Sequence, residues 1–190
     1  MTGKDGRGRR GTVTGAVPPR EEARDRTGPR AAPVETPAFG AAAFGQQAFG
    51  RGGIVAGARV LTLDGALPVE YLAPGDRVIT RRGARVLRSV TAHRLTGEAC
   101  RVMAGALGFD RPEGAVWLAP DTGILIRDWR ARALWGRDSV VVPVARLADG
   151  EHVARVVVTD LPVFTLGCDG PEILRVEGME IAAAPELVAG

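Results

Sequence analysis

Few residues in this chain could carry nucleophilic or acid–base chemistry. There are two cysteines, Cys100 and Cys168, and two histidines, His93 and His152. A thiol attacks a carbonyl as its thiolate, which needs a basic or cationic neighbour, and imidazole is the side chain suited to protonating a leaving group near neutrality. Neither cysteine has a Cys or His neighbour at metal-ligand spacing, so no metal site and no cofactor are expected. Both read as buried small apolar residues or free thiols, with a disulfide between them left open. Cys168 stands beside Asp169 but has no basic partner in the local sequence, and Asp169 before Gly170 reads equally well as a turn former. His93 falls at a candidate strand end and His152 beside the Asp149-Gly150 turn, where each reads as a surface or hydrogen-bonded strand residue.

A second group mixes cations with rings: Arg127-Asp128-Trp129-Arg130-Ala131-Arg132-Ala133-Leu134-Trp135. Such a mixture can form a stacking surface for nucleic acid. Two tryptophans six positions apart need not share a helix face, and Asp128 and Asp138 dilute the charge. The segment reads instead as a short, partly buried helix with packed indoles and snorkelling arginines. The formal charge of +3 points the same way once divided by region. Residues 1–53 hold nine Lys/Arg against five Asp/Glu, and the remainder holds sixteen against seventeen.

These residues are positioned by two kinds of sequence. Residues 1–52 are rich in Gly, Pro, Arg, Ala and Thr and poor in branched aliphatics, so they are expected to form a disordered basic tail. Within it Ala38-Phe39-Gly40, Ala43-Phe44-Gly45 and Ala48-Phe49-Gly50 recur every five residues. A five-residue period aligns the rings on neither a helix nor a strand. The repeat reads first as a low-complexity linker, and second as a sticky peptide whose Phe39, Phe44 and Phe49 dock into an apolar groove on a protein partner or on the domain itself.

From residue 53 to residue 190 short apolar runs alternate with turn signals such as Asp64-Gly65, Pro74-Gly75-Asp76 and Glu177-Gly178, the pattern of an all-β domain. Strands are expected at Arg59–Leu63, Arg77–Thr80, Val86–His93, Ala99–Met103, Val116–Leu118, Gly123–Ile126, Ser139–Pro143, His152–Thr159, Val163–Leu166, Ile173–Val176 and Met179–Ala182. Helix is confined to a turn near Val69–Leu72 and to Asp128–Leu134.

The opening run Ile54-Val55-Ala56-Gly57-Ala58-Arg59-Val60-Leu61-Thr62-Leu63-Asp64-Gly65 continues through Tyr71-Leu72-Ala73-Pro74-Gly75-Asp76. With Leu118-Ala119-Pro120-Asp121, Leu147-Ala148-Asp149-Gly150 and Glu172-Ile173-Leu174-Arg175-Val176-Glu177-Gly178, it resembles the Hedgehog/intein (Hint) domain family, in particular its bacterial type 2 subgroup. The resemblance implies a pseudo-symmetric, horseshoe-like β-fold that processes its own chain. In that family a Cys or Ser at the first residue attacks the preceding carbonyl, and histidines protonate the departing amide.

The positions that match these roles here are Gly53 for the nucleophile, Thr122 and Thr165 for two histidines, Pro171 for a third, and Asp169 as the remaining polar residue. Glycine brings no side-chain reactant and a threonine hydroxyl is a poor proton donor. The expectation is therefore a degenerate self-processing scaffold, acting as a binding or structural module. Residual autocleavage near Gly52-Gly53 is the alternative, and an adaptor working through the tail is a further one. No signal-peptide core or membrane-length apolar run is apparent, which favours a cytoplasmic location with non-classical secretion left open.

Overall fold

A computed structural model describes residues 52–185, with side chains to residue 183. The expected tail and its Phe39, Phe44 and Phe49 lie outside these residues. In chain order the strands are β1 (Ile54–Val55), β2 (Arg59–Thr62), β3 (Gly65–Pro68), β4 (Arg77–Thr80), β5 (Gly83–Val86), β6 (Ser89–Val102), β7 (Val116–Leu118), β8 (Gly123–Ile126), β9 (Val140–Pro143), β10 (Val153–Cys168), β11 (Ile173–Val176), β12 (Met179–Ala182) and β13 (Ala184–Pro185). One α-helix, α1 (Trp129–Trp135), and two 3-10 turns, η1 (Val69–Tyr71) and η2 (Val144–Leu147), complete the described residues. The domain is all-β, as its alternation of apolar runs and turn residues predicts. Among the described residues no helix is long and apolar enough to cross a membrane.

The strands form two sheets, ordered β1-β7-β6-β10-β13 and β3-β2-β4-β11-β12-β8-β9, with β5 beside β4. β1 pairs with both β7 and β10 while β6 joins those two, so four strands close on themselves around the start of the domain. The long β6–β10 pair runs from Ser89↔Gly167 to Val102↔Val153 and shifts register between Val158 and Leu161. There Thr159 and Asp160 stand against Thr96 alone, and Asp160 takes φ 58°, the geometry of a bulge that bends the ribbon. Sequence reading broke both strands at these polar and Pro-containing stretches. The pair stays continuous because most of the ribbon is open to solvent on one face, and because the bulge absorbs the irregularity.

A nine-residue pattern ties the two halves together. Pro68-Val69-Glu70-Tyr71-Leu72-Ala73-Pro74-Gly75-Asp76 and Pro143-Val144-Ala145-Arg146-Leu147-Ala148-Asp149-Gly150-Glu151 share Pro-Val, Leu-Ala, Gly and an acid at the same spacing. Each starts with a proline at φ near −55°, turns through η1 or η2, and buries its valine completely. The internal pseudo-symmetry is thus written in the sequence. The core spans both sheets, with Val60, Val69, Val78, Leu118, Ile124, Val144, Leu174 and Ile181 in one cluster.

Two buried carboxylates are fully committed, as burial of a charge requires. Glu172 accepts from Arg85 Nε at 3.1 Å and pairs with Arg82 Nε at 3.5 Å, and Glu180 accepts from Arg81 Nη1 at 2.7 Å and Arg127 Nε at 2.9 Å. Together they pin the β4–β5 turn to β11 and β12.

Candidate functional site

The two-residue strand β1 delivers Gly52 and Gly53 to the point where β7, β8 and β10 converge. After β7 the chain turns through Ala119-Pro120-Asp121-Thr122, closed by a hydrogen bond from Thr122 N to Ala119 O at 3.0 Å. Pro and Asp at the middle of a turn pre-set its φ and favour its formation. The turn is held from η2, where Val144 N donates to Thr122 O and Ala145 N to Pro120 O. Thr122, only 3% exposed, is thereby fixed beside Gly53.

The Gly52–Gly53 peptide is gripped at both polar ends. Gly53 N donates to Thr122 Oγ1 at 2.9 Å, and Thr165 Oγ1 donates to Gly52 O at 2.7 Å. The Thr122 hydroxyl has a single proton, which goes to Ala119 O at 2.7 Å or Gly53 O at 2.9 Å. Gly53 O also accepts from Ala119 N at 2.9 Å. A cavity of about 20 Å³ adjoins the peptide, lined by Gly52, Gly53, Thr122, Phe164 and Thr165 among others. That is room for one water and no larger ligand.

Close packing explains why residue 53 has no side chain. A Cβ built there would approach Val163 Cγ1 more closely than it approaches Phe164 O, itself only 3.0 Å away, with Thr165 Oγ1 at 3.3 Å. Gly52 is similarly confined, its Cβ position lying 3.1 Å from Asp121 O and from Thr122 Cα.

The structure thus brings Gly53, Thr122 and Thr165 together and leaves Asp169 apart. Asp169 lies past the end of β10 in a two-pronged ion pair with Arg88, at 2.6 and 2.9 Å, and its side chain is 69% exposed. The Arg88 guanidinium holds its carboxyl below the usual range. Pro171 does not line the cavity either; its carbonyl accepts from Arg82 Nη2 at 3.4 Å. Among the described residues, no titratable side chain lines the cavity.

Cys168 and Cys100 are both free and buried. Burial, with Glu172 and Asp169 nearby, pushes the Cys168 thiol up to about 11. Burial chiefly pushes the Cys100 thiol up to about 11 as well. Both therefore stay protonated near neutrality and are poor nucleophiles. Among the described residues no group of three or more His, Cys, Asp or Glu could hold a metal ion.

Two sequence readings need correction. His93 was expected at the surface or hydrogen-bonded, yet its Nε2 is buried without a hydrogen-bond partner. It stands opposite Val163 in the β6–β10 register and alternates with Leu95 toward the small cluster of Val55, Ala119 and Val163. His152 does match, sitting exposed at 3.3 Å from Asp149 Oδ2. Of the two tryptophans in the Arg/Trp segment, Trp135 packs on the core, while Trp129 is 75% exposed. The fully buried residue of α1 is Ala131, and at about 100° per residue Trp129 points to the opposite side.

The family model described as "Hint domain" matches residues 53–184. Among solved structures, the bacterial intein-like domain from Clostridium thermocellum is 14% identical, with a TM-score of 0.52 over 69% of this chain and 97% of that one. The MchDnaB-1 intein is 12% identical, with a TM-score of 0.47 over 68% of this chain and 98% of its own. The gp41-1 intein is 8% identical, with a TM-score of 0.44 over 70% and 98%. No curated protein matches the chain. The matched span, the closed set of strands around residue 53 and the paired 3-10 turns agree, and the chain belongs to the Hint domain family.

Proposed function

We propose that this Hint domain no longer processes its chain and serves as a structural or binding module. Its support is one arrangement: the Gly52–Gly53 peptide has no nucleophile beside it, and its nitrogen faces the acceptor side of Thr122. Cleavage would need a proton delivered to that nitrogen as it leaves, whereas here the amide donates and the ground-state peptide is stabilised. Intact mass of the full chain, followed over hours with and without added thiol beside Cys100→Ala and Cys168→Ala controls, is expected to stay unchanged. A fragment ending at Gly52, formed at a rate independent of protein concentration, would overturn the reading.

A second reading, slow residual autocleavage at Gly52-Gly53, draws on Thr165. Its hydroxyl donates to the Gly52 carbonyl as an oxyanion donor would, and the adjoining cavity admits one water. The same mass measurement separates the two readings.

A further inference from the structure

A second cavity, of about 410 Å³, opens between the 104–112 loop and the junction of β8 with α1. Its walls include Leu107, Phe109, Met179, Arg111, Arg127 and Arg130. Two large aromatic side chains stand unshielded here. Phe109, on the wall, is 92% exposed, and Trp129 is 75% exposed between the lining residues Asp128 and Arg130. Trp129 is not itself a lining residue, but an exposed phenylalanine on the wall of a cavity this size offers a docking surface for another ring.

The loop is held in place rather than loose. Arg130 Nη2 donates to Leu107 O at 3.0 Å while Arg130 chelates Asp128, and Phe109 and Asp110 both keep positive φ, at 52° and 55°. Positive φ disfavours bulky residues, so the conformation that displays Phe109 is imposed by its surroundings.

We propose that this groove holds the chain's own Ala-Phe-Gly segment, with Phe44 as the first anchor. The described residues begin at Gly52, on the other cavity, which is lined by Gly123 and Ala182. From there β8 runs from Gly123 to Ile126 and β12 runs back from Ala182 to Met179, both into the groove, a distance of about 10 Å at 3.3 Å per residue. Those strands are buried, so the tail must pass over them: Phe49, three residues before Gly52, spans at most about 10 Å and falls short, whereas Phe44, eight residues before, spans up to about 28 Å.

Residues 38–50 carry no charge. That is compatible with a groove whose Arg127 and Arg130 are already committed to Glu180 and Asp128. A short tether also places the rings at millimolar effective concentration, so even a weak contact is populated.

The proposal rests on the uncleaved junction argued above. It is tested by hydrogen–deuterium exchange of the full chain, comparing wild type with Phe44→Ala and Phe109→Ala, and with the intact mass read from each sample. Phe44→Ala lies in the tail and Phe109→Ala removes an exposed ring, so neither threatens the core. In both variants exchange in residues 104–112 and around Trp129 is expected to rise roughly three- to tenfold, with Phe49→Ala weaker. Intact chains with unaltered exchange would overturn the docking alone, and loss of the tail's mass would overturn both readings. Protection that fades on tenfold dilution would show that a second copy supplies the segment, which also overturns the proposal.

Discussion

Gly53→Ala asks whether close packing, rather than backbone conformation, keeps a side chain off residue 53. The added methyl meets Val163 Cγ1 inside van der Waals distance and Phe164 O at 3.0 Å. Val163 is completely buried and stiff at χ1, and Phe164 is tied into the β1–β10 pairing, so neither retreats easily. Overpacking of this kind costs about 1–3 kcal/mol, against about 0.4–1 kcal/mol returned by the less flexible unfolded chain, leaving about 1–2 kcal/mol of net destabilisation. Val163→Ala alone leaves a void and costs about 2 kcal/mol. In the double variant the new methyl occupies the space vacated by valine, so the two costs should fall short of additive by about 1–2 kcal/mol. Urea denaturation of the four proteins, with slopes compared to confirm two-state unfolding, supplies the cycle. Additivity within about 0.5 kcal/mol would refute the packing argument.

Other expectations follow from the hydroxyls and the turns. Thr122→Val removes the acceptor for Gly53 N in a buried place and should cost about 1–3 kcal/mol, while Thr122→Ser should stay near wild type; equal losses in denaturation would deny the hydroxyl its role. Gly53→Cys should show no thiol-dependent cleavage by intact mass, since no acid faces the leaving nitrogen; release of the tail would show that the nucleophile alone was missing. The Asp149 carboxylate caps the turn into β10 by accepting from the backbone N–H groups of Val153, Glu151 and His152, which lowers it from 3.8 to about 2. A depressed folded value means stability present above the unfolded value and lost as pH falls through the folded one. The stability difference between wild type and Asp149→Asn should therefore shrink as pH falls from 3.8 to about 2; a gap that persists to the acid end would count against it.

Strands bounded by strong turn residues were legible at once. Arg77–Thr80, Val116–Leu118, Gly123–Ile126, Ile173–Val176 and Met179–Ala182 begin and end where Gly, Asp and Pro predict. β6 and β10 were not, because Arg94–Glu98 and Asp160–Pro162 combine polar residues, glycine and proline that normally end a strand, and only the partner strand shows that they do not. Two-residue β1 carries no periodicity of its own, yet it delivers the site. The site itself was partly legible: Gly53, Thr122 and Thr165 converge, whereas Asp169 is drawn away by Arg88, a residue 81 positions distant that no local pattern connects to it. The enclosure of the His93 Nε2 and the exposure of Trp129 depend on which face of an element meets the core, and local sequence says little about that.

Threonine at both contact positions suits the polar demands of the Gly52–Gly53 peptide. This peptide bond is enclosed with a donor at one end and an acceptor at the other, each costing about 1–3 kcal/mol if buried unpaired. A valine, near in shape, would satisfy neither. One hydroxyl takes the proton side of Gly53 and another supplies a proton to Gly52 O, so two side chains of one type settle opposite demands. They are not equivalent chemically. Donation by Thr165 draws electrons from the carbonyl and would assist attack, while acceptance by Thr122 strengthens the N–H dipole and opposes departure of the nitrogen. On the function proposed above, the first effect has nothing to assist in a cavity the size of one water, and the second favours an intact junction.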